Sequence, residues 1–215
     1  MISAVRWPLV AALGVALVAC ARAAPPQEGT TPQGQQVTQP VVPLACVPST
    51  NMPVAGRASP YDSVDIRVGN RTARICYGRP YVKGRQIFGG LVPYDSLWRT
   101  GANEPTILHL PFNAEIAGLT VPAGSYSLYT LPKQSGDWTL IINRSTSQWG
   151  HPDSYTEAVR AQELGRAPIR TEAMNSPVEQ FTIRSQPTAT DRADILLEWE
   201  LTRVRIPLRA TSSAG

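Results

Sequence analysis

The sequence predicts an all-β domain: a single β-sandwich or partly open barrel with one long ordered loop and at most one short helix. Apolar and polar residues alternate along many short runs, as expected for strands that turn one face to a core. Glycines and prolines, 16 and 20 of the 215 residues, separate these runs. Short strands with such punctuation are typical of sandwiches and barrels.

The strands can be assigned in order along the chain. Residues 64–68 and 72–77 both alternate, and Gly69-Asn70 between them is typical of a tight hairpin turn. The one helical pattern covers 156–164, with Ser154 as a candidate N-cap. Further strands are predicted over 106–110, 114–117, 119–121, 124–131, 138–142, 178–183, 193–201 and 204–208.

The N-terminus has the pattern of a bacterial secretory signal of the lipoprotein type. The basic residue Arg6 precedes an apolar run that ends in Leu17-Val18-Ala19-Cys20. This ending resembles a lipobox, which implies that Cys20 is lipidated and that the signal peptide, residues 1–19, is removed. The alternative is an ordinary signal peptide cleaved after Ala21-Arg22-Ala23.

The apolar run is too short for a stable membrane span, which takes ~20 apolar residues. We therefore expect an exported protein held to the membrane by its lipid. Ala21 follows Cys20, and not the aspartate associated with inner-membrane retention in some bacteria, so the outer membrane facing the periplasm is favoured over the inner membrane. Residues 20–49 predict a disordered tether rich in proline and glutamine, 50–208 the β-domain, and 209–215 a flexible tail.

The cysteines agree with export. Once Cys20 carries the lipid, Cys46 and Cys76 remain, and in an oxidising compartment they predict a disulfide. A closed loop of about 30 residues predicts a stabilisation of roughly 3 to 4 kcal/mol. Two separate thiols are the alternative.

The segment 78–104 has a different composition from the strands around it. It is rich in glycine, arginine and aromatic residues, and long ordered loops are usually functional. Arginine side chains match the geometry of carboxylates and phosphates, and glycines let backbone N–H groups approach a ligand closely. We predict a site for a small anionic or sugar-like ligand, or for an envelope partner, formed by Arg79, Lys83, Arg85, Tyr94, Trp98, Arg99, Asn103 and Glu104.

Two other interpretations of this segment stay open. In a purely structural envelope module, Arg99 and Glu104 pair across the turn at Gly101, and Trp98 closes one end of the sandwich. In a hydrolase, Glu104 acts together with Asn103 and Arg99, which requires a carboxylate with a shifted pKa in a cleft. The residues favour a non-catalytic binding module without a cofactor.

Other chemistry has less support in the sequence. His109 and His151 lie on different segments, and no set of residues has metal-ligand spacing, so no metal site is predicted. Ser125 lacks the nucleophile-elbow pattern and an evident base, so Ser125 and Ser127 are predicted to be solvent-facing strand residues. A formal net charge of +4 is too small to indicate nucleic-acid binding.

Several motifs together resemble one bacterial family. They include Tyr77-Gly78-Arg79-Pro80, Lys83-Gly84-Arg85, Gln148-Trp149-Gly150 and above all the WRTGANE segment, residues 98–104. This combination is similar to the domain-of-unknown-function 2911 family of exported proteins, over about 57–208. The resemblance implies a secreted or lipid-anchored β-rich domain, and it implies no activity.

Overall fold

In the computed structural model, residues 42–48 and 52–212 are described, and they form nine β-strands, one 3-10 turn and one short α-helix. The predicted all-β class is confirmed. The 3-10 turn is Pro152–Ser154, and the helix α1 is Glu157–Arg160. The strands are β1 Tyr61–Val68, β2 Arg71–Gly78, β3 Thr106–Leu110, β4 Ala114–Ile116, β5 Leu119–Val121, β6 Gly124–Leu131, β7 Trp138–Asn143, β8 Glu163–Ala189 and β9 Arg192–Ala210.

All strand pairs are antiparallel, in the order β1-β2-β3-β6-β7-β8-β9-β4-β5. Strand β8 joins the two halves of this sheet, because its first part pairs with β7 and the remainder with β9. The second half packs back over the first: the ring of Tyr77 on β2 meets that of Phe181 on β8 edge to face, with centroids 5.7 Å apart. The sheet therefore folds into two layers with a core between them.

The core contains aliphatic residues from both layers, such as Ile75 and Leu108 on one side and Ile195 and Leu197 on the other. Large aromatic rings fill the end of the core next to the long loop. Trp98 from the loop stacks on Trp199 of β9 at 5.8 Å, with 20° between the ring planes. The loop thus contributes to the core, and its conformation is tied to the packing of the domain.

The predicted hairpin is confirmed, with β1 and β2 joined through Gly69 at φ 62°. The predicted helix over 156–164 is wrong in length, because α1 covers only Glu157–Arg160 and the chain enters β8 at Glu163. The N-cap is Thr156, whose hydroxyl accepts a hydrogen bond from the Val159 N–H. Ser154 lies instead in the 3-10 turn.

The last strands are longer than predicted. Residues 178–183 are the middle of β8, and 193–201 and 204–208 are both parts of β9. The pairing of β8 with β9 is irregular between Ala173 and Thr182, where alternation in the sequence is weak. On β9, Glu200 has φ 50°, so the backbone makes a local turn near the end of the first predicted run.

The disulfide between Cys46 and Cys76 is confirmed, with the two Cα atoms 5.6 Å apart. It attaches residues 42–48 to β2, and the Arg74 guanidinium also donates to the carbonyl of Leu44 at 3.1 Å. Cys20 and the signal sequence lie outside the described residues. Within the described ranges, no helix is long and apolar enough to cross a membrane.

Candidate functional site

The long loop is held against both layers by backbone hydrogen bonds. The Val82 N–H donates to the Glu179 carbonyl of β8 at 2.8 Å. Further along, Trp98 and Thr130 of β6 exchange two hydrogen bonds, at 2.8 and 2.9 Å. The loop therefore bridges β8 and β6, and its residues surround one open end of the core.

A cavity of about 340 Å³, called the Arg99 cavity below, lies at this end of the domain. Among the described residues, its lining has an apolar part, a polar part that includes two arginines, and no acidic side chain. Across the described residues, no three His, Cys, Asp or Glu side chains gather into a set that could hold a metal ion. The lining residues are Ser59, Pro80, Arg85, Leu91, Val92, Pro93, Ser96, Leu97, Trp98, Arg99, Gly101, Ala102, Asn103, Gly150, Pro152 and Trp199.

Arg99 is the cation placed deepest in this lining. Its Nη1 donates to the Gly150 carbonyl at 2.9 Å. Its Nε is shielded from solvent and has no hydrogen-bond partner among the described residues. Burial lowers the pKa of Arg99, and the nearby Tyr129 and Glu104 oppose that shift. A buried donor without an acceptor is rare in proteins and calls for an explanation.

Gly150 allows the WRTGANE segment to pack tightly against the segment that follows β7. A Cβ atom at this position would lie 2.1 Å from the Asn103 carbonyl oxygen and 2.4 Å from Arg99 Cδ. Gly78 plays the same part at the end of β2, where a Cβ would lie 2.1 Å from the Ala102 oxygen. Three motifs distant in the sequence therefore meet at the cavity, and two of them do so through glycine.

The WRTGANE segment has an unusual backbone. Thr100 and Asn103 have φ of 55° and 66°, and Thr100 is a fully buried β-branched residue, for which positive φ is a true outlier. Hydrogen bonds support this conformation: the Thr106 hydroxyl donates to the Thr100 carbonyl at 2.6 Å. Such strain persists only where the surroundings determine it, and it is concentrated at functional sites.

Glu104 has a partner that the sequence did not indicate. Arg57 reaches it with two hydrogen bonds, Nη1 to Oε2 at 2.8 Å and Nη2 to Oε1 at 3.0 Å. The structural interpretation expected Arg99 in this role. Arg57 is a single arginine in a segment without periodicity, so no pattern in the sequence points to it. Glu104 is 1% exposed and does not line the Arg99 cavity.

Of the eight candidate residues, four line the cavity together: Arg85, Trp98, Arg99 and Asn103. The other four lie elsewhere, and Glu104 is one of them. Arg79 pairs with Asp62 at 2.8 Å, and the ammonium of Lys83 lies over the Tyr81 ring. Tyr94 packs against the core and lines a separate pocket of about 410 Å³ with Phe88 and Leu201.

Of the two serines on β6, Ser127 differs from its prediction as a solvent-facing residue, and Ser125 is half-buried. Ser127 is fully buried, and its Oγ donates to the Ser145 carbonyl at 2.7 Å. The Gln148 amide donates to Ser127 at 3.1 Å and to the Tyr129 hydroxyl at 2.9 Å. Ser125 does have a histidine partner, since its Oγ is 2.9 Å from His109 Nδ1 across paired strands. The correction for Ser127 comes from the segment after β7, which covers this part of the strand.

Comparisons with known proteins identify the family and nothing narrower. No curated protein and no solved structure matches the chain. The family described as "protein of unknown function (DUF2911)" matches residues 59–208, which include β1 to β8 and most of β9. The matched region contains the WRTGANE segment and all the lining residues of the Arg99 cavity. The chain therefore belongs to the DUF2911 family.

Proposed function

We propose that this protein is an exported, lipid-anchored envelope protein that binds a small anionic ligand in the Arg99 cavity without transforming it. The observation that carries the proposal is the lining itself. Two arginines line a concave site of about 340 Å³ whose described lining has no acidic side chain, and Arg99 has a buried donor without an acceptor among the described residues. Sites of this size with few polar groups in an apolar wall are typical of small-molecule pockets.

An anion fits this lining better than a sugar. Sugar sites often use an exposed aromatic face, but Trp98 is only 7% exposed and its ring stacks on Trp199. In the part of the chain that the structure describes, the lining also has no carboxylate to accept hydrogen bonds from sugar hydroxyl groups. The guanidinium groups supply donors and positive charge, which suit an anion.

A binding role is also better supported than hydrolysis. The hydrolase interpretation needs the Glu104 carboxylate to reach a substrate. Both of its oxygens accept hydrogen bonds from Arg57, and it is enclosed outside the cavity lining. This arrangement favours a structural role for Glu104 over a catalytic one.

Location in the cell envelope is supported by the sequence and by one structural feature. The lipobox-like ending at Cys20 and the proline-rich tether indicate an anchored, exported domain. The disulfide between Cys46 and Cys76 suits an oxidising compartment such as the periplasm.

A thermal-shift screen tests the proposal. The protein is residues 20–215 with Cys20→Ser, and the probes are acetate, benzoate, phosphate, sulfate, glucose and N-acetylglucosamine. At least one anion is expected to raise the melting temperature of this protein, and the shift should shrink as salt increases if the cavity is open to solvent. The proposal is wrong if only the sugars produce a shift or if no probe does.

Two variants locate the effect. Arg99→Gln removes the more deeply placed of the two arginine cations in the cavity lining and should abolish the anion-induced shift. Lys83→Gln removes an exposed cation of the same loop that does not line the cavity, and its shift should match that of the parent protein. Equal shifts for all three proteins would place binding outside the Arg99 cavity.

A further inference from the structure

We infer that the anion taken by the Arg99 cavity is the single carboxylate of a molecule with an apolar body, held by the guanidinium of Arg99. This rests on the proposed anion-binding function and adds the chemical class of the ligand. Three features carry it: the number of uncommitted cations, the donors that Arg99 has available, and the apolar side chains in the rest of the lining.

The charges around the cavity suit one negative charge. Of the two arginines in the lining, Arg85 already donates through Nε to the Val82 carbonyl at 3.0 Å and through Nη2 to the Tyr81 carbonyl. Arg57 and Arg79, nearby but outside the lining, are paired with Glu104 and Asp62. Arg99 is thus the cation whose donors are least committed, and a monoanion balances it.

The donors of Arg99 fit a planar two-oxygen acceptor. Within the described residues, the hydrogen bond of its guanidinium is the one from Nη1 to Gly150. Nε and Nη2 form the other edge of the group, and a carboxylate binds such an edge with two parallel hydrogen bonds. Because Nε is shielded from solvent, the Arg99 side chain has to turn toward the ligand before Nε can donate to it. The hydrogen bond from Nε to the carboxylate then supplies the acceptor that Nε lacks.

The remaining wall favours an apolar group attached to the carboxylate. Leu91, Val92, Pro93 and Leu97 line the cavity in one run of the loop, and Trp98 and Trp199 add aromatic edges. Leu91 is 47% exposed, which is high for leucine in a folded domain. Covering these side chains removes apolar surface from water, a gain that inorganic phosphate or sulfate cannot provide.

Isothermal titration of residues 20–215 with Cys20→Ser tests the class of ligand. The probes are benzoate, phenylacetate and hexanoate as carboxylates with apolar bodies, acetate without one, benzamide as a neutral analogue, and phenylphosphonate and inorganic phosphate as phosphorus anions. At least one of the first three is expected to bind ten-fold or more tightly than acetate. Benzamide, phenylphosphonate and phosphate should each be ten-fold or more weaker than the best carboxylate.

Variants distinguish the effect of the positive charge of Arg99 from that of the two donors on one edge of its guanidinium group. Arg99→Lys keeps the charge and loses the two-donor edge, so it should weaken the best carboxylate by at least ten-fold. Lys83→Gln should leave the dissociation constant unchanged within two-fold. Unchanged melting temperatures and near-ultraviolet circular dichroism establish that the variants are folded. Unaltered binding by a folded Arg99→Lys variant overturns the assignment of the two-donor edge.

The outcomes also distinguish this inference from the function on which it rests. Tighter binding of phenylphosphonate or phosphate, lost in Arg99→Gln, overturns the carboxylate and leaves the anion site standing. Equal affinities for acetate and the larger carboxylates overturn the claim that the ligand has an apolar body and leave the carboxylate assignment standing. Equal binding of benzamide and benzoate overturns the role of charge, and no binding of any anion overturns both proposals.

Discussion

Arg57 and Glu104 form a bidentate ion pair that is almost completely enclosed, with side chains 4% and 1% exposed. Arg57 completes its hydrogen bonding inside its own segment, through Nε to the Pro53 carbonyl at 2.8 Å and Nη2 to the Met52 carbonyl at 2.7 Å. The pair joins a segment that precedes the family-matched region to the last residue of the WRTGANE segment. The conformation of the candidate site therefore depends on residues before the matched region.

Arg57→Ala is expected to lower the free energy of unfolding by about 3–5 kcal/mol, because it leaves the enclosed Glu104 carboxylate without its bidentate partner. Chemical denaturation measures the effect. The matched control is Lys133→Ala, which breaks an exposed pair with Asp95 and should cost at most about 1 kcal/mol.

A double-mutant cycle identifies the partner of Arg57. If the pair acts as a unit, adding Glu104→Ala to Arg57→Ala should cost less than Glu104→Ala costs in the parent protein. Purely additive effects would show that Arg57 stabilises the domain by another route.

Cys46→Ser is expected to lower the free energy of unfolding by about 3–4 kcal/mol. The disulfide closes a loop with a sequence separation of 30 residues, and the chain-entropy argument gives a loss of this size when the loop opens. Denaturation of the parent protein with and without reductant provides an independent estimate. A difference below about 1 kcal/mol in both experiments would mean that residues 42–48 are held by other contacts.

Local pattern was enough to predict most strands. Strand β6 was predicted over 124–131 and spans Gly124–Leu131, because a clean alternation lies between a glycine and a proline. Strand β8 was predicted only in part, since its two ends belong to different layers and face different surroundings. A strand that packs against protein on both faces, or that changes its partner strand, does not show the alternation of apolar and polar residues on which the prediction depends.

The site was only half predictable for a related reason. The loop composition pointed to Arg85, Trp98, Arg99 and Asn103, which do line one cavity. The contacts that shape it come from distant positions: Gly150 is 51 residues from Arg99, and Arg57 is 47 residues from Glu104. Gly150 belongs to a motif and Arg57 does not, but in one sequence neither residue carries a signal of the distant residue that it contacts.

Because of His109, the free energy of unfolding of the domain should decrease as the pH becomes mildly acidic. Burial, and then the positive charge of Arg74, lower the pKa of His109 from its ordinary value of about 6.5. The folded protein then binds this proton less readily than the unfolded chain, so stability is lost as pH falls from about 6.5 toward the lowered pKa.

Unfolding free energies at pH 7.5 and 5.5 measure this effect. The parent protein should lose more stability over this interval than His109→Gln, which does not titrate there. Identical losses in the parent protein and His109→Gln would contradict the assignment.

Lipidation of Cys20 is tested in a bacterial host with Cys20→Ala. The Leu-Val-Ala-Cys ending predicts that the parent protein is found in the membrane fraction and that the variant is not processed by the lipoprotein route. The size of both proteins and their distribution between fractions are read by immunoblot. A variant that stays in the membrane fraction and is processed as before would show that the lipobox prediction is wrong.

Gly150→Ala tests whether the cavity depends on the close contact between the segment after β7 and the WRTGANE segment. A methyl group there would meet the Asn103 carbonyl and Arg99 Cδ at distances that no structure tolerates, so both must move. We expect a loss of about 1–3 kcal/mol in unfolding free energy. We also expect weaker anion binding, measured by titration with the tightest anion found for the parent protein.

Gly165→Ala is the matched control, because its added Cβ would meet only the flexible end of Leu119 at 3.0 Å, on β8 away from the cavity lining. Its anion affinity should equal that of the parent protein, whatever small change in stability it produces. If Gly150→Ala lowers stability but binds anions as the parent protein does, the contact serves the fold alone. In that case anion binding does not depend on the close packing at Gly150.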